Sequence, residues 1–316
     1  MSRILITGAG GFVGRAVCHS LRSAGHTLSG TTRQETKKRG PENIPMYRVS
    51  ESGKDTDWSQ CVVGADAIVH LAGRAHVMKE KSSNLFEAYR IANRDSSVSL
   101  AEAAAKAGVK RIVFISTVKV NGEVTTNSPF IETDPPSPEG PYAVSKWEAE
   151  KCLEEVAKKH NLELVILRVP LVYGPYVKGN FFELIDACAC RKILPLDAIM
   201  NRRSLLYVSN LASAINICLE HPIAAGKTYF VSDGTDLSTP ELIKKISAAL
   251  GIKERLYFIP ILLLKALGIL IGKIEAVTKL TGSLQVDSSL FKYELEWSPP
   301  FTVEDGLNET VRWYLN

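Results

Sequence analysis

An apolar run, Ile4-Leu5-Ile6, passes directly into Thr7-Gly8-Ala9-Gly10-Gly11-Phe12-Val13-Gly14. The residues that follow, with Val13, Val17 and Leu21 at i, i+4 spacing and Gly25 as a stop signal, have the period of a helix. A strand, a glycine turn and a helix in immediate succession commit the chain to an α/β architecture. Glycines at positions 8, 11 and 14 remove side chains that would hold an anion away from the backbone. The helix opening at Phe12 presents the unpaired N–H groups of its first turn, Val13 and Gly14 among them, together with the positive end of its dipole. This is a cradle for a dinucleotide pyrophosphate; the competing reading is a tight turn with no ligand.

The pattern continues along the first two-thirds of the chain. Strands are predicted at 4–7, 27–32, 67–71, 111–116 and 163–169, separated by helices at 12–24, 84–107 and 142–159. That alternation describes a doubly wound parallel sheet of the Rossmann type. After Pro170 it lapses, and the segments 204–220 and 228–231 read as a helix and a strand returning to the sheet. The expected division is a nucleotide-binding domain over 1–170, rejoined by 204–232, and a smaller C-terminal α/β substrate lobe from 171–203 and 233–316.

With 316 residues, 45% of them hydrophobic and 23% charged, the chain is long enough for two lobes and too apolar for disorder. A surplus of four positive charges is too mild for a nucleic-acid footprint, so a small ligand is expected. The six cysteines form no CxxC pair and read as reduced thiols, with no metal site and a cytoplasmic location. The N-terminus leaves no room for a signal peptide ahead of the first strand. The most apolar stretch, 256–272, contains Lys265 and is too short to span a bilayer; a buried or interface helix is expected there, with contact to a membrane surface as the alternative.

Where the second strand ends, Gly30-Thr31-Thr32-Arg33 offers no carboxylate for a ribose 2′-hydroxyl. Arg33 would instead meet a 2′-phosphate, which makes NADP(H) the preferred cofactor, while NAD(H) stays open if Arg33 stacks on adenine or faces solvent. The run Ala67-Ile68-Val69-His70-Leu71-Ala72-Gly73 ends in small residues, as a sheet edge beside a ligand requires. In Tyr142-Ala143-Val144-Ser145-Lys146 a phenol and an amine share one helix face. A nearby ammonium would favour the phenolate and lower the tyrosine pKa, readying Tyr142 to exchange a proton with a carbinol oxygen.

Taken together, TGAGGFVG at the start, HLAG at 70–73, Asn93, the Ser116-Thr117 strand end, YAVSK at 142–146 and RVPLVYGP at 168–175 resemble the extended short-chain dehydrogenase/reductase family. The likeness is to its nucleotide-sugar branch of 4-epimerases, 4-ketoreductases and 4,6-dehydratases, and it covers nearly the whole chain. It implies Thr117, with Ser116 as fallback, as hydrogen-bond partner of the reacting oxygen, Tyr142 as acid/base, and Lys146 as holder of the ribose hydroxyls and of the Tyr142 pKa. It also implies cofactor contacts from Gly8, Gly11, Phe12, Val13, Gly14, Arg33, Leu71, Ala72, Gly73, Asn93 and Val169. For a UDP-sugar substrate it implies Asn180 at the nucleotide and Arg203, or Arg202, at the diphosphate. A second diphosphate arginine found in many members is missing from Thr281-Gly282-Ser283-Leu284-Gln285. A homodimer through the 84–107 and 142–159 helices is implied as well.

Among the three reactions, a dehydratase resembling the family carries Asp-Glu after its threonine, whereas this chain has Val118-Lys119. Neither residue can protonate a leaving hydroxyl as a carboxylic acid would. Arg33 and the strings HLAGRAHVM, STVKVNGE and NRRSL point toward the 4-ketoreductases of bacterial surface-polysaccharide pathways. The expected reaction is reduction of UDP-2-acetamido-2,6-dideoxy-4-hexulose at C4. A UDP-hexose or UDP-HexNAc 4-epimerase is the alternative, and a non-catalytic NADP(H) sensor is a third possibility that the Tyr/Lys pair argues against.

Overall fold

In the computed structural model, residues 1–33, 39–49, 53–75, 84–270, 272 and 274–316 are described. The chain begins β1 (Arg3–Thr7), α1 (Phe12–Ser23), β2 (Thr27–Thr32), β3 (Met46–Arg48), α2 (Ser59–Val62) and β4 (Ala67–His70). It continues α3 (Leu85–Tyr89), α4 (Ser96–Lys106), β5 (Arg111–Thr117), α5 (Gly140–His160), β6 (Glu163–Val169) and β7 (Leu171–Tyr173). Next come α6 (Asn180–Ala189), β8 (Leu205–Tyr207), α7 (Val208–Glu220), β9 (Thr228–Phe230) and α8 (Thr239–Ala249). It closes with α9 (Ile261–Leu270), α10 (Ile274–Thr281), α11 (Ser289–Glu294) and α12 (Val303–Leu315).

Seven strands form one parallel sheet in the order β3-β2-β1-β4-β5-β6-β9, the doubly wound arrangement expected. Its central strands are buried on both faces, and the sequence shows why: Ile4, Leu5 and Ile6 run without a polar interruption. Alternation divides them between two layers. Ile4 and Ile6 join Val17 and Leu21 of α1 and Leu211 and Ile215 of α7. Leu5 instead joins Leu100 of α4, Phe114 of β5 and Leu153 of α5. A third core gathers Tyr173, Phe181, Tyr207, Ile243 and Leu307 around β7 and β8, which pair in parallel.

Three differences from the sequence reading have local causes. Residues 205–207 form β8 and not the start of a helix, because all three side chains are buried and Asp233 takes the Tyr207 N–H at 2.9 Å. The helix expected over 84–107 is interrupted by a π-helical turn, Arg90–Asp95, which carries the buried Asn93 side chain inward. Of the buried or interface helix expected over 256–272, the buried reading is overturned: α9 packs on one side only, through Leu264 and Gly268 with Ile261 half-buried, and its other apolar side chains are exposed.

One buried ion pair ties the layers together behind the site. Arg168 of β6 donates to Glu150 of α5 at 2.7 Å and to the Asn121 side chain at 3.0 Å, and Asn121 in turn holds the carbonyl of Asp134. Both charged groups lie out of water, so removing one strands the other. Arg168→Met should lower the unfolding free energy by about 3–5 kcal/mol in urea titration, and Arg168→Met with Glu150→Leu should recover most of it. A loss below about 1 kcal/mol in the single variant would show that the pair is not what holds this junction.

Candidate active site

The strand order reverses between β1 and β4, and the carboxyl ends of these two strands meet there. Thr7 makes the junction. Its hydroxyl oxygen accepts the backbone N–H groups of Leu71 and Ala72, both at 3.1 Å. Its proton is then assigned to His70 Nδ1 at 2.7 Å, which leaves His70 Nε2 to donate to Ser97 at 2.8 Å. Ser97 donates onward to the Asn93 carbonyl. Burial, and then the charge of Lys146, push the His70 pKa down to about 3, so the ring serves as a neutral link in this chain.

The glycine turn lies against the same junction. Gly8 has φ of +71° and sits where a Cβ would come within 3.1 Å of the Ala72 nitrogen. A Cβ on Gly14 would lie 2.3 Å from the Gly8 carbonyl, so α1 can start this close to the turn only with glycine there. Gly11 is the N-cap and offers no side chain, which leaves the first-turn N–H groups of α1, at Phe12, Val13 and Gly14, without a side-chain partner from the cap. A space bounded by backbone, at a helix N-terminus, fits a dinucleotide pyrophosphate. Arg33 stands exposed just past the end of β2, the strand paired beside β1.

The α5 pitch puts Tyr142, Lys146 and Glu150 on one stripe. Tyr142 is hydrogen-bonded to Thr117 at the end of β5, and its ring meets Tyr89 edge-on with centroids 6.3 Å apart. Thr117 is therefore the residue that reaches the phenol. Ser116, the fallback, has its hydroxyl buried with no partner among the described residues. Thr117 is also in register with Val169, which lies buried at the end of β6. Asn93 acts as a clip: its side chain bonds both backbone groups of Arg74 and donates to Ser145 at 2.9 Å, and Ser145 donates to the Tyr142 carbonyl at 2.8 Å.

The electrostatics correct one expectation. Burial pushes the Tyr142 pKa up to about 12, opposed by the Thr117 hydrogen bond, and Lys146 is not among the groups that lower it. The reason lies in where Lys146 points. Its ammonium donates to the Ile115 carbonyl at 2.6 Å and sits 3.8 Å from the centre of the Phe114 ring, and burial brings its own pKa down to about 7, against the pull of Glu150. Below the phenol, Val118 is packed with Phe230, Leu284 and Val286, and Lys119 is paired to Glu123 at 2.7 Å. The position after Thr117 thus supplies no acid.

Of the residues expected to meet a substrate, Asn180 is the exposed first residue of α6, after Gly179 with φ of +65°. Arg203 is largely occupied: its guanidinium donates to the carbonyl of Lys279 at 2.5 Å and faces that of Gly282 at 3.4 Å, while Arg202 beside it is exposed. Sequence reasoning quoted Thr7, His70 and Arg168 within motifs without giving them a role, and did not single out Ser97 or Glu150. A stripe extended from 142 and 146 to 150 would have found Glu150; Ser97 carries no local signal.

Residues 4–232 match the NAD dependent epimerase/dehydratase family. A UDP-glucose 4-epimerase of Vibrio cholerae is 39% identical over 315 residues, covering 99% of this chain and 95% of that protein. An N-acetyl-alpha-D-glucosaminyl-diphospho-ditrans,octacis-undecaprenol 4-epimerase of Escherichia coli O157:H7 is 26% identical, covering 98% and 94%. The crystal structure of a UDP-glucose 4-epimerase with UDP-glucose from Thermotoga maritima shares the fold with a TM-score of 0.79 at 23% identity, covering 99% and 98%. Matched over most of its length, and with a relative of that identity along nearly all of it, this chain is an enzyme of the NAD dependent epimerase/dehydratase family.

Proposed function

We propose that this enzyme interconverts the C4 epimers of a UDP-linked sugar, with NAD(H) in the cradle formed by Gly8, Gly11 and Gly14. The observation that carries the reading is the Thr117–Tyr142 hydrogen bond, set one helical turn from Lys146 and with no carboxylate after Thr117. The Vibrio cholerae relative, a UDP-glucose 4-epimerase, supports it. The bound dinucleotide would take and return the hydrogen and electron pair at C4. Tyr142 would remove the proton of the C4 hydroxyl and give it back, and Thr117 would hold that oxygen by a hydrogen bond. A phenol pushed up to about 12 is suited to donating its proton; as a base it needs a positive neighbour, the role of an oxidised nicotinamide, because the Lys146 ammonium is turned to the Ile115 carbonyl. Asn180 is assigned to the nucleotide and Arg203, or Arg202, to the diphosphate, and a homodimer through the 84–107 and 142–159 segments belongs to the same reading.

Net reduction of a UDP-2-acetamido-2,6-dideoxy-4-hexulose is the second reading, favoured by Arg33 at the end of β2 and by the NADP(H) preference it would confer. The two separate in one experiment. UDP-glucose or UDP-N-acetylglucosamine with NAD should give the 4-epimer with no net change in cofactor absorbance. Stoichiometric consumption of NADPH with the 4-keto sugar would favour the reductase instead, and failure of both would leave binding without catalysis.

Tyr142→Phe should lower kcat by roughly 10²–10⁴-fold while dinucleotide affinity changes little, because only proton transfer is lost. Undiminished turnover in that variant would remove Tyr142 from the role. Lys146 supplies a second check through stability. Its proton is lost near pH 7 in the folded chain, from an ordinary value of 10.5. Between those values the unfolded chain binds more protons, so this group's contribution to stability rises with pH across the window. The unfolding free energy of the wild type, measured against Lys146→Met, should shift in the wild type's favour between about pH 6.5 and pH 9. A difference that does not change with pH would show an ordinary, unburied amine.

A further inference from the structure

α9 and α10 form a hairpin packed on one side only. A Cβ on Gly268 would lie 2.8 Å from Val277 Cγ2, so the Leu264/Gly268 line of α9 presses against α10. At 100° per residue, Leu262, Leu263, Ala266, Leu267, Ile269 and Leu270 fill an arc of about 160° on the opposite side, and all six are exposed. Leu262 is 82% accessible and Leu270 80%. The segment leading into the helix adds Phe258, 71% accessible, and Tyr257. An apolar face this continuous is not left to water without a partner.

The charges around it say which partner. Residues 251–282 hold Lys253, Arg255, Lys265, Lys273 and Lys279 against Glu254 and Glu275, a surplus of three out of the chain's net four. Lys265 lies on α9 itself, at the border of the exposed arc, and α9 carries no acidic residue. A second copy docking there through a two-fold axis would bring like charges together; an anionic lipid surface would neutralise them. The helix is about 15 Å long, half the thickness of a bilayer's hydrocarbon core, and no helix among the described residues is long and apolar enough to cross a membrane. Leucines on one face, aromatic residues at its edge and lysines at its border are the chemistry of a helix lying in the interface plane.

We propose that this hairpin seats the protein on an anionic lipid bilayer, with the exposed face of α9 in the interface and Lys253, Arg255, Lys265 and Lys279 at the headgroups. The exit of α10 is fastened to the substrate lobe: Asn201 holds the carbonyls of Leu280 and Gly282, Arg203 that of Lys279, and Thr239 that of Leu280. Docking therefore fixes which side of the molecule meets the membrane, with the substrate lobe toward it.

Flotation of the full chain with phosphatidylcholine vesicles, with and without about 30 mol% phosphatidylglycerol, tests the proposal. Binding is expected to the anionic vesicles and not to phosphatidylcholine alone, falling as salt is raised from about 0.1 to 0.5 M. Lys265→Glu should weaken it roughly tenfold, and Leu262→Gln with Leu270→Gln by at least as much. Both variants alter only exposed positions, and circular dichroism confirms their folding. No flotation with anionic vesicles, or equal flotation of wild type and folded variants, would overturn the proposal. So would an oligomer in light scattering that the Leu262/Leu270 variant dissolves while neither protein floats, because the face would then belong to a second copy.

Discussion

The contact on which the site depends is the junction of Thr7 and Gly8 with the end of β4. Thr7 closes the gap between the two central strands by taking the N–H groups of Leu71 and Ala72, and Gly8 lets the first turn lie against the same backbone. From there polar links run without interruption. Thr7 leads through His70 and Ser97 to the backbone of Asn93, and the Asn93 side chain leads through Ser145 to the backbone of Tyr142. The glycine cradle and the phenol are thus parts of one hydrogen-bonded frame. Such a frame has direction: each hydroxyl has accepted before it donates, so a single tautomer of His70 satisfies it. Charging that ring would force two donors onto Thr7 and Ser97, and the drop of its pKa to about 3 keeps this from happening near neutrality.

The Tyr142 stripe of α5 is anchored at its other end by a charge pair. Tyr142, Lys146 and Glu150 succeed one another at one turn each, and Glu150 is held by Arg168 from the neighbouring strand. Lys146 is therefore placed between a buried carboxylate behind and the phenol ahead, above an aromatic ring and bonded to a strand carbonyl. Burial acts on the two titrating groups in opposite directions, raising the phenol to about 12 and lowering the amine to about 7, so two groups whose ordinary values nearly coincide are driven apart. A change of charge at the mouth of the site would act on both at once. Such an arrangement suits a group that must give and recover a proton in the same turnover.

How far the sequence carries depends on how local each feature is. The five predicted strands and the glycine turn rest on apolar runs and spacing within a few residues, and all five strands occur in the parallel sheet, two with the predicted bounds. β3 and α2 are three and four residues long and too short to show a period. The π-helical turn at Arg90–Asp95 is set by what Asn93 reaches across to, at Arg74 and Ser145, and no window around position 93 contains that information. The same holds for Arg168, whose partner lies on another element, and for Arg203, where a basic residue expected at a diphosphate turns out to bond the carbonyls that close a distant hairpin. Charge in a sequence marks a need for a partner without identifying it.

The apolar stretch at 256–272 makes the complementary point about hydrophobicity. Its composition is that of a core helix, yet the core around β7 and β8 is built mainly by Tyr173, Phe181, Ile185, Leu205 and Leu307, and the stretch contributes only Leu264, with Leu256 packed at its margin. Only Leu264 and Gly268 of α9 find buried places. Gly268 brings α10 close, and α10 returns at once to the strand-like segment where Thr125 N–H meets Ser283 and Phe130 N–H meets Gln285. The hairpin is thus an excursion from the core around β7 and β8 whose two ends are fixed and whose tip has nowhere inside to go. A chain that needed only to connect Leu256 to Ser283 would gain nothing from an exposed face of Leu262, Leu263, Leu267, Ile269 and Leu270, and would be more soluble with polar residues in their place. The excess of apolar surface, bordered by lysines, is explained by something outside the fold.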